Sequence, residues 1–336
     1  PQRQIFGGGT LVLENDNWGG TAALVTAAGQ VGAFPLDVAS RDAAVVATLS
    51  PGAYTAQVSG AGGGTGVALV ELYDVDAAQP FTPQKLVNVA TRGVVGAGQA
   101  QLIAGFVVSG NTAKKVLVRA VGPTLSGFGV GGVLTDPRFN VVRGGVIVAS
   151  SDNWLAADAA AMATAGAFAL TAGSKDAAIA VLLAPGAYTA PVTAADGGSG
   201  VALLEVYDGS SATTAAVLNA STRAYVGTGE GVLIPGFVIG GTGTLRLLIR
   251  AVGPGLAGFG VEGTLADPEL TLYGGSTALA TNDNWSLAAN SAEIAATATA
   301  VGGTQQKQQQ QQHQLLLFKR VVWLPDSVEP LQVMLE

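Results

Sequence analysis

The stretch VLVRAVGPTLSGFGVGGVLTDP (116–137) returns as LLIRAVGPGLAGFGVEGTLADP (247–268). Arg119 answers Arg250, Pro123 answers Pro254, Phe128 answers Phe259 and Asp136 answers Asp267, each pair 131 residues apart. That period is longer than the roughly 20–50 residues of a solenoid unit, so each copy is large enough to hold a core of its own. Residues that occur twice at one position serve the fold of each copy; a single reaction has no use for them twice.

Working outward from this stretch, the chain divides into repeat segments. Residues 81–210 form a complete repeat, opening with NVATRGVVGAGQAQLIAGFVVSG and closing with GVALLEVYD. Residues 1–80 carry only the second half of a repeat, and residues 211–303 only its first part. A glutamine-rich tail, 304–336, shares neither composition nor register with the rest; its segment 315–324 reads as a strand, and the tail is a candidate exchanged strand. Period-two alternation of β-branched and aromatic residues, as in 53–58 and 67–73, marks strands joined by glycine turns. The one helical signal is the Ala-rich run 156–165, with Asp158 near its start. The expected fold is all-β: tandem, jelly-roll-like β-sandwich modules with a short Ala-rich helix per repeat.

Composition excludes several functional classes. Charged residues are 12% of the chain and the net charge is −7, with no cluster of Lys and Arg to neutralise phosphates, so no nucleic-acid partner is expected. No apolar run reaches the roughly 18–20 residues of a membrane helix. With no cysteine there is no disulfide, thiolate metal site or thiol nucleophile, and the only histidine, His313, lies in the glutamine tract. Acidic residues recur at matching positions, Asp42 with Asp176 and Asp74 with Asp208, which suits structure better than a catalytic carboxylate pair. No enzyme activity is expected.

The run from NDNW through GSKDAA, LAPGAYTA and GVALLEVYD resembles the β-sandwich repeats of large secreted bacterial surface proteins. It is similar in layout to bacterial pre-peptidase C-terminal domains, over 11–74 and 146–208. The resemblance implies an extracellular or cell-surface, non-catalytic module. The tail after Gly303 departs from the pattern.

Four features invite a sharper reading. GFGVGG (127–132) and GFGVEG (258–263) fit the dinucleotide-binding glycine pattern, but strand residues rather than a helix follow, so they read as turns. The clusters containing Asp16, Asp152 and Asp283 have a calcium-like composition, yet they supply only part of the six to eight oxygens that calcium takes, and caps or turns explain them too. No cofactor is expected otherwise. Trp18, Trp154 and Trp285 read as core plugs whose indole N–H finds a local acceptor, with sugar stacking as the alternative. Arg119 and Arg250, in apolar strands, call for carboxylate partners, and Asp136 and Asp267 are nearest in sequence.

These readings converge on a structural subunit of an extracellular filament or sheath, a homopolymer assembled head-to-tail through strand contacts between repeat ends. Pro1, Ile5, Phe6, Leu315, Leu317, Val321 and Trp323 are the assembly candidates. Two alternatives stay open: an adhesive or glycan-binding module of a larger surface protein, and an accessory domain of a secreted hydrolase. A fragment of a longer array, or cleavage of a precursor at an Asp-Pro bond such as the one Pro1 aligns with, would equally begin and end in mid-repeat.

Overall fold

The structure is a computed structural model and describes residues 3–7, 10–15, 36–37, 39–74, 85–98, 100–209 and 217–284. The first copy contributes β1 (Arg3–Gly7), β2 (Thr10–Asn15), β3 (Ala43–Leu49), β4 (Gly52–Gly60) and β5 (Gly66–Asp74). The second contributes β6 (Lys85–Val95), β7 (Leu102–Val108), β8 (Lys114–Val121), β9 (Pro137–Arg143) and β10 (Val146–Ser151), followed by helix α1 (Ala159–Thr164), β11 (Ala177–Leu183), β12 (Gly186–Ala194) and β13 (Gly200–Asp208). The third adds β14 (Val217–Val226), β15 (Ile234–Gly240), β16 (Leu245–Val252), β17 (Pro268–Gly274) and β18 (Thr277–Asn282). The fold is all-β. Glycine turns and β-branched residues favour strands throughout, and the Ala-rich run supplies a 3-10 turn at Ala156–Asp158 leading into α1.

Among the described residues sixteen strands hydrogen-bond in one sheet, and β1 and β2 form a separate pair. The strand-to-strand pairings are antiparallel, and they resolve into two runs of eight. One run is β11-β8-β13-β6-β15-β4-β17-β18. The other is β3-β16-β5-β14-β7-β12-β9-β10. A single pair, Tyr225 with Val94, joins β14 to β6. Exchanging each strand for its repeat equivalent (β6 for β14, β7 for β15, β13 for β5, and so on) leaves the pairing scheme unchanged. The molecule therefore has an approximate two-fold, marked by the Thr91 and Thr222 hydroxyls, 2.8 Å apart.

The half-repeats close on each other. β3, β4 and β5 of the first copy pair with β16, with β15 and β17, and with β14 and β16 of the third. The contact expected between one subunit's end and the next subunit's start is thus made inside one chain. β5 and β7, in mid-run, are buried at every position, β7 as a continuous apolar run and β5 with Glu71 and Asp74 among its apolar residues, whereas β12 largely alternates buried and half-buried residues. One large apolar cluster draws residues from both runs, including Leu72, Phe106, Val118, Ala190, Leu204, Phe237 and Leu272.

The β1–β2 hairpin has the same register as β9–β10 and β17–β18, each with its register shift at the same repeat position. It is a third copy of one hairpin, and the slot beside β4 holds β17 instead. The position of β17 taken by the fully buried Leu270 corresponds to Arg3 in the first copy, and burying an arginine there is costly.

Candidate functional site

The residues singled out by the repeat gather at one corner of each half. At the end of β8 the chain turns through Gly122 and Pro123 into a 3-10 segment, Pro123–Phe128. Proline at its first position has no N–H to leave unsatisfied. A Cβ on Gly122 would lie 2.1 Å from the Leu134 carbonyl oxygen, and one on Gly253 would lie 2.0 Å from that of Leu265, so the close crossing of two backbones requires glycine at both. Gly129 and Gly260 end the 3-10 segments in left-handed conformations, φ 80° and 78°. The glycine-rich strings are turns.

A fully buried aspartate ties this corner to the start of β11. Asp176 Oδ1 accepts hydrogen bonds from the Gly122 N–H at 2.7 Å and the Thr124 N–H at 3.3 Å, and its Oδ2 receives the Ser174 hydroxyl at 2.5 Å and the Thr124 hydroxyl. Ser174 in turn accepts the indole N–H of Trp154 at 3.2 Å. In the other half Asp42 accepts from the Gly253 N–H at 2.7 Å and the Gly255 N–H at 3.2 Å. Burial pushes the Asp42 carboxyl above its usual range, against the opposing pull of hydrogen bonds from Ser40, Gly253 and Gly255.

Arg119 and Arg250 find partners other than those nearest in sequence. Strand register places Glu205 opposite Arg119 and Glu71 opposite Arg250. Arg119 Nε donates to Glu205 at 2.8 Å and Arg250 Nε to Glu71 at 2.9 Å, with a second ion-pair contact from each Nη2. Tyr207 and Tyr73 donate their hydroxyls to the same glutamates at 2.7 and 2.8 Å. Asp136 and Asp267 pair instead with Lys175 and Arg41, the basic residues immediately before the two buried aspartates. Sequence distance misled here because a neighbouring strand brings a carboxylate closer than any residue along the chain.

The charges in these clusters compensate one another. Burial is the largest single influence on Arg250 and would lower its pKa, but Glu71, Tyr73 and Asp42 together outweigh it and hold the guanidinium above its usual range. Tyr207 is pushed well above an ordinary phenol, first by burial and then by the Glu205 charge. Helix α1 and the loop after it cover Arg119: Met162 Sδ lies 3.5 Å from Nη1, the Phe168 carbonyl accepts from Nη1 at 2.6 Å, and the Phe168 ring stacks 4.3 Å from the guanidinium.

The signal that would have found the glutamates is E-x-Y, repeated in VELYD and LEVYD. Residues two apart on a strand share a face, so each tyrosine sits beside the glutamate it bonds. Composition gave no hint of a third cluster, peculiar to one half. There Asp208 accepts Lys114 at 2.7 Å and Lys85 at 2.9 Å, with Lys114 completely buried.

Of the remaining candidates, Trp154 is half-buried against a small apolar cluster of Leu117, Leu125, Met162, Leu170 and Tyr207. Trp18, Trp285 and Asp16 lie outside the described residues, as do the assembly candidates Pro1, Leu315, Leu317, Val321 and Trp323. Ile5 and Phe6 lie on β1. Asp152 and Asp283 follow β10 and β18, and among the described residues no group of three or more acidic, His or Cys side chains converges as a metal site. No described helix is long and apolar enough to cross a membrane, which says nothing of strands. Chemically, then, the duplicated corner is a latch: its donors and acceptors are turned on one another. No known protein family, curated protein or solved structure matches this chain.

Proposed function

We propose that the chain is a non-catalytic structural subunit of an extracellular or cell-surface assembly, two sandwich modules side by side that associate with further copies to form a filament or sheath. In this reading the two eight-strand runs face each other, and each half is one module of the kind the repeat expected. One observation carries the proposal: the buried charges at the two corners are engaged within their own half, Arg119 with Glu205 and Arg250 with Glu71, Asp176 and Asp42 with the glycine corners. A catalytic or ligand site has no reason to occur twice with its polar groups satisfied internally, whereas a building block does. Because the half-repeats already pair within the chain, joining of copies falls to the strands at the ends of the two runs, β3, β10, β11 and β18.

Electron microscopy with light scattering on the intact chain tests this. Ordered polymers, or oligomers that grow with concentration, are expected. Dispersed monomers at all concentrations would contradict it.

A further inference from the structure

The two halves serve as controls for each other, because a surface feature required by the fold should occur in both. Six large hydrophobic residues are exposed among the described residues, and four of them, Val146, Ile147, Val148 and Leu182, lie on β10 and β11. Their exposures are 64, 57, 45 and 68%. At the matching positions of the other half stand Thr277, Ala278, Leu279 and Thr48, of which Leu279 is half-buried against the core. At three of these four positions the fold is satisfied with small or polar groups. The apolar set on β10 and β11 therefore answers to something outside the half that carries it.

Both strands are the last of their runs, and among the described residues neither pairs with a further strand. They also lie together: the Ser151 hydroxyl donates to the Ala178 carbonyl at 2.9 Å and accepts the Ala178 N–H at 3.1 Å. Neither strand carries a charge: their sequences are VIVASS and AAIAVLL. Natural edge strands usually bear a lysine, a proline or another device against pairing. β10 has only a register shift between Ile147 and Ala149.

We infer that this end of the molecule, the outer edges of β10 and β11 with Val146, Ile147, Val148 and Leu182, is the contact through which a second copy of the chain adds, edge to edge about a two-fold axis. Three observations select a second copy as the occupant. An uncharged strand can pair antiparallel with itself without like charges meeting, and a two-fold contact requires such self-complementarity. The chain's net charge of −7 opposes close approach of copies elsewhere, whereas the charges directly opposite these apolar residues, Arg143 opposite Val146 and Lys115 opposite Leu182, are basic. Finally, the molecule already joins its own halves by this device, β6 of one to β15 of the other and β7 to β14. A contact of two short strand edges is small, at or below about 1,200 Å² of total buried surface, so the association is weak and concentration-dependent.

The inference rests on the self-assembly reading and names its surface. The test is sedimentation velocity over a concentration series on three full-length chains: the parent, Ile147→Lys, and the matching substitution in the other half, Ala278→Lys. Both side chains are exposed, so folding is preserved and is checked by thermal melting. The expected result is self-association of the parent, weakened about tenfold or more by Ile147→Lys, as a charge forced into an apolar contact requires, and unchanged by Ala278→Lys. Association that survives Ile147→Lys, or that both substitutions weaken alike, overturns this surface while leaving self-assembly standing. A parent that stays monomeric overturns both.

Discussion

Arg119 is fully buried, and its place in the fold depends on Glu205 and on the Phe168 ring that lies over it. Removing one member of a buried pair strands the other's charge in a medium that cannot solvate it, at a cost of about 3–5 kcal/mol. Arg119→Met should therefore destabilise the chain by about that much in denaturant melts. The double variant Arg119→Met with Glu205→Gln should recover part of the loss, because a neutral amide can still accept the Tyr207 hydroxyl. Arg250→Met should cost a similar amount, since Glu71 and Tyr73 repeat the arrangement. A loss below about 1 kcal/mol at both arginines would show that the pairs do not hold the corners.

Asp42 gives a pH signature at the same scale. Its carboxyl is raised from 3.8 by burial, so the folded chain holds this proton more tightly than the unfolded chain does. The stability it contributes is full below 3.8 and is lost as pH rises through the raised value. Asp42→Asn cannot ionise, so the melting temperature of the parent relative to this variant should fall as pH climbs from below 4 towards neutrality. A difference that is flat in pH would contradict the burial account.

Among the elements, the turn from β8 into its 3-10 segment is the most demanding. Gly122 is required by a crossing backbone rather than by an unusual φ, which is −127°. Gly122→Ala should cost about 1–3 kcal/mol or more, as overpacking does. Gly131→Ala, nine residues on in the same turn region, meets nothing within 4 Å and should fall within about 0.5 kcal/mol of the parent. Equal effects in thermal melts would mean that the turn tolerates a side chain at the crossing. Much at this scale was legible beforehand. The alternation in 53–58 and 67–73 announced the strands β4 and β5, the Ala-rich run announced α1, and strand residues after GFGVGG identified a turn. What the chain could not disclose was which strands neighbour which. The glutamate partners of the arginines follow from that register, and so do the two acids of the Asp-Pro pairs, which bond to Lys175 and Arg41 instead.

At the scale of the whole molecule, the sequence carried the parts but not their closure. A repeat that lacks its first half and one that lacks its second can complete each other within a chain or between chains with the same strands and the same registers, so no local pattern distinguishes the two. In the structure the first copy's β4 lies against β17, with Gln57 opposite Thr271. The absence of cysteine offers a direct test. Gln57→Cys and Thr271→Cys, both half-buried positions, would place a single pair of thiols across this junction. Mild oxidation of the dilute double variant, followed by non-reducing mass analysis, should yield a monomer with one internal disulfide. Disulfide-linked dimers and longer chains under the same dilute conditions would show that the half-repeats complete each other between molecules, and would contradict closure within the chain.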